Sequence, residues 1–147
     1  MMRTNLLYGT VYGSAQSVAE ALANELENRG VVVNLLQPDE LEGFIPSVDE
    51  WLLVVTSTTG QGDLPDDIAP WFYALKEQAP YLPGLPYAVV GLGDSSYDTF
   101  CGAGHQVDDL LRELGGESLA PMLTIDAMET MEPETDALDW LGGWVKF

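Results

Sequence analysis

The chain has 147 residues, 46% of them hydrophobic and 20% charged, which is enough apolar material for a packed core in a soluble globular protein. Twenty-four acids against five Lys and Arg leave a formal charge of −19, which repels nucleic-acid phosphates and anionic membrane surfaces; it would steer a basic protein partner, or serve solubility alone. No apolar run approaches the roughly 18 residues that cross a bilayer, and one cysteine, Cys101, excludes an internal disulfide framework.

Arg3–Tyr8 predicts a first strand, entered directly from the N-terminus without a signal-peptide hydrophobic region. Tyr8-Gly9-Thr10-Val11-Tyr12-Gly13-Ser14-Ala15 then turns into a helix over Ser14–Asn28, with Val18, Leu22 and Leu26 plus Ala19 and Ala23 on one face. This order aims the first free N–H groups of the helix at whatever occupies the turn, and those donors suit a phosphate, although such turns are also Gly-rich for purely steric reasons. Val31–Leu36 predicts a second strand, Gln37–Val48 a loop with a short helical turn, and Trp51–Thr56 a central strand, apolar on both faces. A second Gly- and hydroxyl-rich loop, Ser57-Thr58-Thr59-Gly60-Gln61-Gly62-Asp63-Leu64-Pro65, leads to a helix through Trp71, Phe72 and Leu75, with Asp66 or Asp67 as its expected cap. Tyr87–Gly91 predicts a fourth strand. It opens into a third loop, Gly91-Leu92-Gly93-Asp94-Ser95-Ser96-Tyr97-Asp98-Thr99-Phe100-Cys101. A helix carrying Val107, Leu110, Leu111 and Leu114 follows, then a fifth strand, Ser118–Ile125, without a long insertion. Pro133 opens a last helix with apolar Leu138, Leu141, Trp144 and Val145.

Strands alternating with helices predict an α/β fold. The expectation is a five-stranded parallel sheet with helices on both faces, as one domain over residues 1–147, and 2-1-3-4-5 is one common doubly wound order for it. In that order the strands before the three loops are neighbours, so the loops converge beyond their carboxyl ends, where open α/β sheets bind ligands. The first loop offers backbone N–H groups and the hydroxyls of Thr10, Tyr12 and Ser14, but no Lys or Arg. It is neither a Walker loop nor Gly-x-Gly-x-x-Gly, and Gly91-Leu92-Gly93 has Ser96 where the latter needs its third glycine. Thr56-Ser57 stands where a receiver domain needs a phospho-acceptor Asp. Gly60 and Gly62 either permit close backbone approach around Gln61 or make an ordinary loop, and Tyr97 is either a surface residue or a stacking plate. A phosphate turn, a flexible loop and an aromatic plate together suit a flat cofactor with a phosphate tail, such as FMN. Cys101 reads as a buried small hydrophobe and His105 as a surface residue. Asp126, Glu129, Glu132, Glu134, Asp136 and Asp139 read as a solvated helix start, with a docking face for a basic reductase as the alternative.

On the residues of these three loops the whole chain resembles the short-chain flavodoxin family, YqcA/MioC type. The resemblance implies a non-covalent FMN one-electron carrier. Thr10, Val11, Tyr12, Gly13, Ser14 and Ala15 would bind the phosphate. Thr58, Thr59, Gly60 and Gln61 would lie along one flavin face and Tyr97 on the other, with N–H groups around Gly93, Asp94, Phe100 and Cys101 at the pyrimidine edge. The phosphate loop departs from the family at Val11, Tyr12 and Ala15, where Thr or Ser is usual. Thr59 replaces the usual inner-face aromatic. A peptide flip at Gly60 is expected to offer a carbonyl to the one-electron-reduced flavin, and nearby acids to make the second reduction step strongly negative. The implied partners are basic-faced redox proteins, a flavodoxin/ferredoxin reductase and electron acceptors. Nucleic acid and membrane are not expected, and a cytoplasmic monomer is. The alternatives are an FMN-dependent quinone reductase-type enzyme and an adaptor that has lost FMN.

Overall fold

The computed structural model describes residues 3–96 and 99–145. Along it run β1 Thr4–Gly9, α1 Ser14–Asn28, β2 Val33–Leu36, β3 Trp51–Thr56, α2 Ala69–Gln78, β4 Pro86–Gly93, α3 Gly102–Glu113, β5 Glu117–Ser118, β6 Leu123–Asp126 and α4 Pro133–Trp144. The helical turn expected after the second strand is a 3-10 turn at Pro38–Glu40. All strand pairs are parallel in the order β2-β1-β3-β4, with β5 and β6 both on the far edge of β4. This is the expected order 2-1-3-4-5.

Alternate residues of the central strands feed two cores. Leu6, Leu53, Val55, Ala88 and Val90 pack under α1 and α4, while Leu7, Leu52, Val54, Tyr87 and Val89 pack under α2 and α3. Burial on both faces is why these strands read as continuous apolar runs rather than alternating ones. At the edge of the sheet the sequence misleads. The expected fifth strand, Ser118–Ile125, is interrupted: β5 pairs with Pro86 and Tyr87, β6 with Val90–Gly93, and the chain between them steps out of the ladder. Pro121 has no N–H to give a neighbouring strand, and the Ser118 hydroxyl turns onto the Ala120 carbonyl instead. The excursion is short, so β6 rejoins in line and delivers its C-terminal end beside that of β4.

Candidate cofactor-binding site

The registers Gly9↔Thr56 and Thr56↔Gly91 put the ends of β1, β3 and β4 side by side, so the three loops leave one sheet edge together. They enclose a cavity of about 690 Å³, within the range that holds cofactor-sized ligands. The first loop contributes Val11, Tyr12 and Ser14, and the second Ser57, Thr58, Thr59 and Gly60. Leu92, Gly93, Asp94, Thr99, Phe100 and Cys101 come from β4 and the third loop. Tyr97 and Asp98 lie outside the described residues.

The first loop is organised around an open helix start. Gly13 is the N-cap of α1 with φ 93° and ψ −6°, no side chain caps the helix, and its first turn holds no acid. By contrast, α4 carries Glu134 and Asp136 in its first turn. The free N–H groups at the head of α1 therefore present partial positive charge without a resident anion. Thr10 is tied on two sides. Its N–H donates to both carboxylate oxygens of Asp67 at 3.1 Å, and its Oγ1 accepts the Gly13 N–H at 2.8 Å. Neither Asp66 nor Asp67 caps α2, as the sequence suggested; the N-cap is Ile68, without a side-chain bond, and Asp67 reaches across to β1 instead. Burial pushes the Asp67 carboxyl above its ordinary range, offset in part by the Thr10 N–H. Ala15 is fully buried beneath the loop, and Thr10, Gly13 and Ala15 stand behind the cavity wall rather than in it.

The second loop is a small hairpin. Thr59 and Asp63 exchange N–H···O bonds of 2.8 and 2.7 Å, with Gly60 at φ 50° and Gly62 at φ 93° making the turn. Gln61 sits at its exposed tip, outside the wall. Two bonds fasten the hairpin to α3: Thr58 Oγ1 accepts the Ala103 N–H at 3.3 Å, and Gln106 Nε2 donates to the Gly62 carbonyl at 2.7 Å. In the third loop the Gly91-Leu92-Gly93 run serves packing. A Cβ on Gly93 would stand 2.8 Å from the Cys101 nitrogen. Cys101 is the N-cap of α3 with φ 54° and is fully buried; its Sγ donates to the Gly91 carbonyl at 3.4 Å. Burial pushes its thiol up to about 11, in keeping with a small buried hydrophobe. His105 is exposed, as read from the sequence.

The fourth side of the cavity was not legible in the sequence. Ile125, Ala127, Thr130, Met131 and Pro133, from β6 and the turn into α4, complete it. Asp126 does not belong to a solvated run. It is buried, and its Oδ1 accepts the Ser95 N–H at 3.1 Å and the Met128 N–H at 2.9 Å, which locks this turn to the third loop. Hydrogen bonding from Ser95 and then from the Met128 N–H holds its carboxyl below the ordinary range. The available signal was an Asp at a strand end followed by a turn, where a carboxylate bonds the N–H two residues on.

The chemical character of the pocket follows. Leu92, Phe100, Cys101, Ile125 and Met131 give apolar walls, Ser14, Ser57, Thr58 and Thr59 give hydroxyls, and the α1 head lies at one end. Among the described residues no Lys or Arg lines it; Arg3, Arg29 and Arg112 pair with Glu50, Glu25 and Asp108. No group of His, Cys, Asp and Glu among them is arranged to hold a metal ion. A flat, largely apolar ligand with an anionic tail fits these walls without a countercation.

Doubly wound topology, a slot at the strand ends and an anion-receptive helix start define an α/β cofactor-binding protein. The family model described as Flavodoxin matches residues 6–140. Flavodoxin YqcA of Pectobacterium carotovorum is 45% identical over 144 residues, covering 98% of this chain and 95% of its own. Protein MioC of Escherichia coli is 38% identical over 145 residues, covering 99% and 97%. The structure of the C101S mutant of a flavodoxin from Pseudomonas aeruginosa superposes with a TM-score of 0.86 at 49% identity, covering 97% of this chain and 95% of that one. The chain belongs to the flavodoxin family of flavin-dependent electron carriers.

Proposed function

We propose that this flavodoxin holds FMN non-covalently in the three-loop cavity and passes single electrons between basic-faced redox proteins. The observation that carries the reading is the head of α1: an uncapped, acid-free helix start opening onto an apolar slot in a chain of charge −19. Backbone N–H groups of Val11, Tyr12, Ser14 and Ala15 and the Ser14 hydroxyl would hold the phosphate. Thr10 and Gly13 shape that loop from behind. The backbone of Thr58–Gln61 would lie along one face of the ring, Tyr97 is proposed for the other, and N–H groups from Gly93 to Cys101 for its pyrimidine edge.

FMN, when bound, supplies one-electron redox chemistry; the chain supplies orientation and field. Gly60, at φ 50° on the cavity wall, is the point where a peptide can turn its carbonyl toward the ring without a Cβ in the way. Asp63, Asp66, Asp67 and Asp94 oppose further negative charge in the site, each by some tens of millivolts after screening. That makes the second reduction step the more negative one and the protein a low-potential donor. The same carboxylates suit a reductase or acceptor with a basic face, and a monomer in the cytoplasm suits a shuttle. Among the described residues no helix is long and apolar enough to cross a membrane.

A potentiometric titration of the FMN-loaded chain, paired with an assay for quinone reduction by NAD(P)H, tests the proposal. Two separated one-electron steps and no sustained turnover are expected. A single two-electron step with steady turnover would instead establish a quinone reductase-type enzyme.

A further inference from the structure

We propose that Asp67 is a positioning residue of the phosphate loop: it anchors the loop through Thr10 and, by its negative charge, limits how tightly a dianionic phosphate is held there. The inference deepens the FMN reading and rests on it.

Three features carry it. The carboxylate meets the Thr10 N–H with both oxygens at 3.1 Å, from 57 residues away in sequence, instead of capping the helix it precedes. Thr10 passes the constraint on, because its Oγ1 accepts the N–H of Gly13, the residue whose left-handed backbone opens α1. Asp67 thus fixes the geometry of the α1 head through Thr10, without itself lining the cavity. The third feature is Gly9. A Cβ there would collide with Ile68 Cγ2 and stand 3.3 Å from Asp67 Oδ1, so the 67–68 segment reaches β1 only because residue 9 has no side chain.

The surroundings leave the charge uncompensated. Asp66 adjoins it, Asp39 and Glu42 line the same groove along α2, and the Tyr8 phenol of β1 feels its charge together with those of Glu20, Asp39 and Glu40. Among the described residues no Lys or Arg pairs with Asp67. A phosphate at the α1 head therefore meets favourable helix N–H groups and an unneutralised carboxylate one residue behind the loop. The two act in opposite directions on the same ligand group. Protonating Asp67 removes the repulsion; burial, and after it the charge of Asp66, raises the carboxyl above its ordinary range, while backbone N–H groups led by that of Thr10 offset part of the rise.

The test is a flavin-fluorescence titration of the full native chain, D67N and D67A with FMN and, in parallel, with riboflavin, from pH ~8 to pH ~4. Melting curves confirm that each variant is folded. D67N keeps an acceptor for Thr10 and loses the charge. Near neutral pH its gain in FMN affinity over the native chain is expected to exceed any change for riboflavin by about tenfold. That gap should close toward acid pH as the native carboxylate and the phosphate dianion, whose second pKa is about 6, both take up protons. D67A loses the acceptor too and should hold FMN more weakly than D67N. Equal FMN affinities for native and D67N at every pH, or an equal gain for riboflavin, would overturn the charge effect. D67A binding as tightly as D67N would overturn the positioning role. A native chain that takes up no FMN overturns the FMN reading itself, and this inference falls with it.

Discussion

Replacing Gly13 by Ala isolates one physical quantity. The residue sits at φ 93° and ψ −6°, and a Cβ built on it meets no heavy atom within 4 Å, so G13A introduces no collision. What remains is the cost of a left-handed backbone for an L-residue, about 1–2 kcal/mol, offset by up to ~1 kcal/mol from a stiffer unfolded chain. A net loss of about 1 kcal/mol lowers the melting temperature of a chain this size by roughly 2–4 °C. If the strain is relieved by swinging the loop, the head of α1 loses its aim, and FMN affinity should fall by about tenfold for each 1.4 kcal/mol. G143A is the matched control. Gly143 lies in the last turn of α4, has no neighbour within 4 Å of its Cβ and no positive φ. Ala there should raise stability by a few tenths to ~1 kcal/mol. Differential scanning calorimetry of both variants checks the sign. A G13A chain that melts with or above the native protein, or a G143A chain that melts as far below it as G13A, refutes the reasoning.

G102A tests the seam between α3 and the second loop. Its Cβ would stand 2.8 Å from the Gly62 Cα and 2.9 Å from the Gly62 carbonyl oxygen, so backbone must move, at a cost of about 1–3 kcal/mol in urea unfolding. Tyr87 is fully buried, donates to Asp108 Oδ1 at 2.8 Å, and its phenol is pushed up to about 12, first by burial. A raised phenol stabilises the fold below its unfolded pKa of ~10, and that stability is lost as pH climbs toward the folded value. Urea midpoints should therefore fall steeply between pH ~10 and ~12 in the native chain and less steeply in Y87F. Cys101, buried and with its thiol up to about 11, should stay unmodified by a thiol-reactive disulfide at neutral pH until the protein is denatured. Fast native labelling would contradict this packing.

The parallel sheet was legible because it follows from local pattern; its order, and with it the convergence of the three loops, came from supposing the flavodoxin-like arrangement that the loops resemble. Leu52, Leu53, Val54 and Val55 of β3 announce a strand buried on both faces, and strand–loop–helix alternation leaves few topologies. What stayed hidden is non-local. Asp67 lies 57 residues from Thr10 and Asp126 31 from Ser95; the turn after Asp126 signals its local bond to Met128, but nothing beside either acid marks the distant N–H it accepts. The wall made by Ala127, Thr130 and Met131 was masked by the acidic residues interspersed with it. The break in the fifth strand turned on Pro121, whose effect is visible only once β4 is known to be its neighbour.

An acidic scaffold that grips a phosphate with uncharged donors at the head of α1 stands or falls on one binding measurement. Titrating the purified native chain with FMN, and following the flavin's fluorescence, tests it most directly. Saturable one-to-one binding, tighter for FMN than for riboflavin, is the predicted result; fluorescence unaltered by the protein at micromolar concentrations, or equal affinity for the two flavins, would contradict it.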